Sequence, residues 1–314
     1  MAFNTGALTA WVDENKFPLL MQLQAKSGLA DVVAMQSGIK SSARLHSITT
    51  TAPWQSNGCS YNSSGTTTFG QKTITVGDIA VMEDVCALDL EGFWTQQLMK
   101  EGKSAQEVIP GEIESKWMAK KLNIIANDIA VADFQGDTLS GNANLNKYDG
   151  LLKLLLADAT VIQGNSGGLL VAPTASNIIA VLQAMYTAIP EDLSLDNPDA
   201  GQQLYLWLPL TYYKMYILAL INSNNYHYTA TDGDTKLFGT NVILKPTVGL
   251  AGTDKMVLTY ADNITIGVDG TNDADQMDVW YSKDDRITKS LVTFKRGVQY
   301  QFGDYIVLFQ LGVS

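Results

Sequence analysis

Apolar and polar residues change their period along this chain, and each period predicts an element. Ala43-Arg44-Leu45-His46-Ser47-Ile48 and Thr68-Phe69-Gly70-Gln71-Lys72-Thr73-Ile74 alternate at every second residue. Period two belongs to strands with unlike faces, so these stretches predict two strands. A tip rich in Gly, Ser and Asn separates them. The unit 39–76 therefore reads as a long two-stranded loop with little core of its own. Its aromatic residues Trp54, Tyr61 and Phe69 argue against a plain linker. A ribbon of this kind is marginally stable alone in water, so it is expected to lie on another surface.

Further along, the period becomes helical. Ile113, Trp117, Leu122, Ile125, Ile129 and Ala132 recur at threes, fours and fives between Pro110 and Gly136. Proline suits a first helical turn and glycine the position past the end. Glu112 and Glu114 fall in that first turn, where the helix dipole favours acids. A helix of roughly 25 residues would run about 40 Å, long for a globular domain. Shorter helices are predicted at Pro18–Ala25, Leu151–Leu156, Ala175–Thr187 and Pro209–Ser223. Residues 77–103 fit a strand or turn followed by an amphipathic helix. LYLWLPL (204–210) reads as a buried strand, and 237–314 as a run of alternating strands. The expected fold class is α+β, with helices in the middle and strands towards the ends.

Composition narrows the function. The chain has 314 residues, of which 46% are apolar and 17% charged, enough for one large or two ordinary packed domains. Its net charge of −11 disfavours tight binding to nucleic acid, which needs phosphate-neutralising cations. Yet 39–76 contains no Asp or Glu and carries Lys40, Arg44 and Lys72, so an acidic surface is its expected resting place. No run reaches the roughly 18 apolar residues of a membrane span, since Lys153 and Asp158 interrupt Leu151–Ile162. The first residues lack the basic start and apolar centre of a signal peptide, which predicts synthesis in a cytoplasm. In that compartment Cys59 and Cys86 are expected to be free thiols. Two cysteines and two widely spaced histidines do not make a zinc site. Asp269, Asp273, Asp275 and Asp278 lack the spacing and the glutamate of a calcium loop. His227 has no evident catalytic partner in the sequence.

One stretch suggests catalysis. Gly164-Asn165-Ser166-Gly167-Gly168 differs by one residue from the GDSGG around the nucleophile of trypsin-like proteases. His46 precedes Ser166, so the chain order of a His-Asp-Ser triad is formally allowed. However, His46 sits in a polar ribbon where a base has nothing to orient it. The long helix between the two also has no place in a double β-barrel. The pentapeptide reads as a turn in which Gly and Asn tolerate positive φ.

The element order is specific: an N-terminal arm, a two-stranded loop, a long helix, a compact middle, then returning strands. This resembles the major capsid proteins of tailed bacteriophages, with the Hong Kong 97-type fold. Lys147-Tyr148-Asp149-Gly150-Leu151-Leu152-Lys153, Phe238-Gly239-Thr240-Asn241-Val242 and Gln276-Met277-Asp278-Val279-Trp280 with Asp284-Asp285-Arg286 resemble short motifs of that family. So do Gly297-Val298-Gln299-Tyr300-Gln301 and Asp304-Tyr305-Ile306-Val307-Leu308. The resemblance implies an arm at 1–38, an extended loop at 39–76, a peripheral domain at 77–148 and 255–298, and an axial domain at 149–254 and 299–314. It implies a non-enzymatic shell protein without cofactors or metals, forming pentamers and hexamers of an icosahedral virion. Packaged double-stranded DNA, a portal and a separate scaffolding protein (or a prior cleavage) would be its partners. Arg44, Lys72 and Trp54 of the loop would meet a neighbour near Glu112, Glu114, Asp284 or Asp285. Some relatives crosslink a loop lysine to an asparagine. Here Ile287 and Thr288 follow Arg286, so non-covalent contacts or a decoration protein are expected to hold the lattice. An encapsulin-type shell around an enzyme cargo is the alternative on the same fold.

Overall fold

The computed structural model describes residues 28–57, 59, 63–86, 110–164, 172–193, 202–223, 236–270, 276–282, 284–285 and 287–311. The expected helix at Pro18–Ala25, the segment after Cys86, the GNSGG serine and His227 lie outside the described residues.

The strand β11 (Ile287–Tyr300) organises the first half of the structure. Its first ten residues pair antiparallel with β4 (Gly77–Cys86) in an unbroken register, Ile287 facing Cys86 and Arg296 facing Gly77. It also pairs with β10 (Gln276–Ser282) and, through Arg296–Tyr300, with β9 (Ile264–Val268). The short β1 (Ala34–Gln36) closes the other edge, parallel to β9. One face of this sheet packs on α1 (Pro110–Gln135). Met277, Val279, Val292 and Phe294 meet Leu122, Ile125, Ala126 and Ile129 there. The pairing follows from the period-two pattern, which sends every second residue of β10 and β11 to the helix.

A second sheet has the order β5-β12-β8-β6-β7. Its strands are β5 (Ile162–Gln163), β6 (Leu204–Pro209), β7 (Ile243–Thr247), β8 (Met256–Tyr260) and β12 (Val307–Phe309). The helices α3 (Ile178–Thr187) and α4 (Leu210–Asn222) share its core through Val181, Leu182, Met185, Tyr216 and Leu220. β6 passes into α4 at Pro209 and returns parallel as β7, so the middle holds a small βαβ crossover that the expected segregation of helices and strands did not include. A shared core of Leu29, Phe134, Trp207, Val257, Ile264 and Leu308 links both sheets with α2 (Leu151–Ala157). α3 starts three residues later than expected. The Asn177 side chain accepts from the Thr174 amide at 2.6 Å and ties 174–177 into a turn instead. No described helix is long and apolar enough to cross a membrane.

The end of α1 is fixed by buried charge. Arg296 of β11 donates through Nε and a terminal nitrogen to the two carboxylate oxygens of Asp133, at 2.8 and 2.7 Å. The Tyr148 hydroxyl donates to the same carboxylate at 2.8 Å. Both charged groups are wholly buried. Burial and the Asp133 charge push the Tyr148 phenol well up, so it stays a donor. Burial opposes the charge on Arg296, but Asp133 outweighs it and holds the guanidinium even more firmly protonated. Gln135, the last residue of α1, donates to the Gly249 and Ala251 carbonyls at 2.7 and 3.0 Å. Together these contacts join the helix to both sheets.

Candidate assembly interface

The two strands expected in 39–76 form a hairpin. β2 (Ser42–Thr51) and β3 (Thr66–Thr75) pair antiparallel over ten residues each, Ser42 with Thr75 and Thr51 with Thr66. β-Branched Thr and Ile favour the extended backbone. Thr50 and Thr67 face each other with hydroxyls 3.3 Å apart, and Thr51 and Thr66 at 2.9 Å. Burial is confined to the base, where Ile39, Leu45, Ile74 and Val76 form a small core. From there outward the hairpin presents apolar groups to solvent. Ile48 and Phe69 are cross-strand partners at 60% and 76% exposure, and Trp54 is fully exposed.

A polar clasp holds the base to the body. Lys72 Nζ lies 3.0 Å from Asp158 Oδ2 and 3.6 Å from the centre of the Tyr300 ring. The Tyr300 hydroxyl donates to the same Asp158 oxygen at 2.6 Å. Thr160 supplies its amide and hydroxyl to the other, at 3.0 and 2.7 Å. Partial burial opposes the charge on Asp158, but these donors overcome it and hold the carboxyl well below the usual range. Burial and Asp158 push the Tyr300 phenol up. Gln299 donates to the Thr73 carbonyl at 3.0 Å. Close backbone approach completes the seat: a Cβ on Gly297 would stand 2.2 Å from the Thr75 carbonyl oxygen.

The residues expected to meet across subunits are placed as follows. Arg44 is exposed on β2 and reaches Gln71 at 3.5 Å. Lys72 does meet an acid, but Asp158 of its own chain; the expectation overlooked that β3 crosses the end of β11 beside α2. Glu112 and Glu114 lie in the first turn of α1. Asp284 and Asp285 form the exposed turn between β10 and β11, where Asp285 accepts from Ser282 at 3.0 Å and pairs with Lys289. That turn lies at the opposite end of β11 from Tyr300, about 40 Å away at 3.3 Å per residue. One chain therefore does not bring the hairpin and this acidic turn together. His46 is exposed on β2 opposite Gln71, with no buried setting to orient it as a base. The Asp133–Arg296–Tyr148 network was not anticipated. Its members lie up to 163 residues apart, and no local spacing marks them.

The same architecture occurs in solved shells. A chain of the satellite phage P4 procapsid, a structure that includes the size-determination protein Sid, superposes with a TM-score of 0.56 at 12% identity. The match covers 94% of this chain and 99% of that one. The chain has the phage capsid fold. A capsid chain of an empty GTA particle agrees, with a TM-score of 0.52, 12% identity and coverage of 92% and 90%. A chain from Microbacterium phage Oxtober96 gives 0.57, 9% identity and 91% of each chain. The sequence matches no family model and no curated protein. At these identities the capsid fold is carried by arrangement rather than by residues in common. It agrees with the Hong Kong 97-type fold expected from the sequence in its two-stranded loop, long helix and returning strands.

Proposed function

We propose that this chain is the major capsid protein of a tailed phage, building an icosahedral shell around double-stranded DNA. The observation that carries the reading is a hairpin that projects Ile48, Trp54 and Phe69 into solvent on a chain with a capsid fold over nine-tenths of its length. Exposed large apolar groups on a ribbon without its own core are costly unless a neighbour covers them. In this reading α1 with the β11 sheet forms the peripheral domain, and the β6–α4–β7 sheet the axial domain; β8 (Met256–Tyr260), expected in the peripheral range 255–298, goes with the axial sheet because it pairs between β6 and β12. The hairpin is the extended loop. Six-fold and five-fold rings follow from head-to-tail contacts of one such chain. Scaffold, portal and decoration protein are partners supplied by other chains, and acidic surfaces keep packaged DNA from adhering. The site has no catalytic role in this reading.

Electron microscopy of the expressed protein after a density gradient tests it. Rings of five or six subunits, or closed shells, are expected. A monodisperse monomer with and without a co-expressed scaffold would count against it. Ser166→Ala is expected to leave assembly unchanged, whereas a protease would lose its activity.

A further inference from the structure

Among the described residues β4 is paired on one side only. Its sole partner strand among them is β11, and its other edge is free along ten residues. Edge strands are usually blunted by Pro, Lys or a bulge. β4 reads GDIAVMEDVC: it has no Pro or Lys, its register with β11 is unbroken, and its charges are the acids Asp78, Glu83 and Asp84. Beneath the free edge lies a mainly apolar groove of about 650 Å³ between Ile79–Glu83, α1 and the segment 143–148. Among the described residues no strand covers this side of the helix. Ile124 of α1, which lines that groove, is 55% exposed; on the opposite face of the sheet Met82 of β4 is 74% exposed.

The charges beside Ile124 are arranged symmetrically. Lys120 precedes it by four residues and Asp128 follows it by four, all on one stripe and all lining the groove; Asp128 also accepts from the exposed Asn144 amide at 3.3 Å and keeps its charge for a partner. Two such helices packed antiparallel about an axis at Ile124 would set Lys120 against Asp128 of the other copy, twice. We infer that the β4 edge and the Lys120–Ile124–Asp128 stripe form a two-fold contact with a second copy of this chain. The capsid reading matters only for where this contact sits in a shell.

Strand and helix agree on the position of the axis. α1 runs antiparallel to β4: Lys121 pairs with Glu83 at 3.1 Å, and Asp133 lies near Gly77 through Arg296. From Glu83 to Gly77 is about 20 Å of strand. From Lys121 to Asp133 is about 18 Å of helix. Ile124 thus lies level with Val81–Met82. When both helices occupy the same face of the joined sheet, facing residues must point to the same side, which leaves Val81 or Met82 on the axis. An axis at Val81 would put Asp78 against the second copy's Asp84. An axis at Met82 puts Ile79 against Val85 and Val81 against Glu83, with no acid facing an acid. Met82 is the axis residue.

The test uses the full chain with Cys59→Ser and Cys86→Ser, so that Ile124→Cys carries the only thiol. A short bismaleimide is applied to the purified protein, in whatever assembly state it adopts. A crosslinked dimer is expected, well above a Lys214→Cys control. Lys120→Asp or Asp128→Lys alone should lower the dimer yield by about threefold or more, since each creates two repulsive pairs. The double exchange should restore it to within about twofold, because the same pairs re-form with reversed sign. Within one chain these residues stand two turns apart, so a folding defect would show no such rescue. A yield no higher than the control, or a double variant no better than the worse single, overturns the contact. Shells without the crosslink would remove this contact and leave the capsid reading standing. Crosslinked dimers that never form rings or shells would do the reverse.

Discussion

Asp133 and Arg296 are the residues on which the end of α1 most depends. Each is wholly buried, and each satisfies the other in a two-pronged geometry that lysine cannot reproduce. Removing one partner leaves a bare charge in the core. Asp133→Asn or Arg296→Met is therefore expected to cost about 3–5 kcal/mol, read from urea unfolding. Replacing both by apolar residues should cost less than either alone, since no charge is stranded. Asp158 supports a pH prediction. Its carboxyl is held below the unfolded value by Tyr300, Thr160 and Lys72, so its contribution is complete above about pH 4. That contribution falls as the pH drops below this value towards the lowered folded one. The stability difference between the native chain and Asp158→Asn should be largest near neutrality and shrink below about pH 4. A difference that stayed constant from pH 7 to pH 3 would contradict the clasp.

At the scale of elements, the hairpin and the body answer to different forces. Past Leu45 and Ile74 the hairpin has almost nothing buried. Replacing Ser47–Gly70 by an Asn-Gly turn, which suits a two-residue hairpin, should leave the body folded. The expected change in melting temperature is within about 3 °C, the shift that a change of no more than ~1 kcal/mol gives in a chain of this size. The same truncation should abolish particles. A large loss of melting temperature would show that the distal hairpin stabilises its own chain. The helix α1 is the opposite case. Its apolar face was legible as recurrences of three to five residues, and its end at Gly136 as a stop signal, because a helix encodes its buried stripe in local spacing. The start of α3 was misplaced because the Asn177 side chain captures the backbone in a turn, a competition that periodicity does not register.

For the whole molecule, charge and exposure separate into regions. A strongly acidic chain carries a hairpin free of acidic residues. If that contrast guides docking, Arg44→Glu should lower the yield of sedimenting particles more than Lys214→Glu, which alters an exposed lysine of α4. Equal effects would remove electrostatic docking from the account. Trp54→Ala should leave the melting temperature unchanged, since the ring is wholly exposed, and still reduce assembly. Lys72 is a poorer probe than Arg44: its reversal would place a carboxylate against Asp158 and disturb the chain before any neighbour is met.

Local patterning along the sequence was enough for the elements: the hairpin strands from their alternation, the long helix from its stripe, and the α+β class from the order of both. The same sequence shows the absence of acid in the hairpin. The packing of distant elements set the rest: Lys72 belongs to Asp158 and Tyr300, Arg296 is buried against Asp133, and one edge of β4 has no partner strand among the described residues. One cause underlies each case. Periodicity reports which face of an element is apolar, because neighbours three, four or two residues apart share that face. It carries no information on which distant element will supply the partner, since that follows from how the sheets and α1 come together in space.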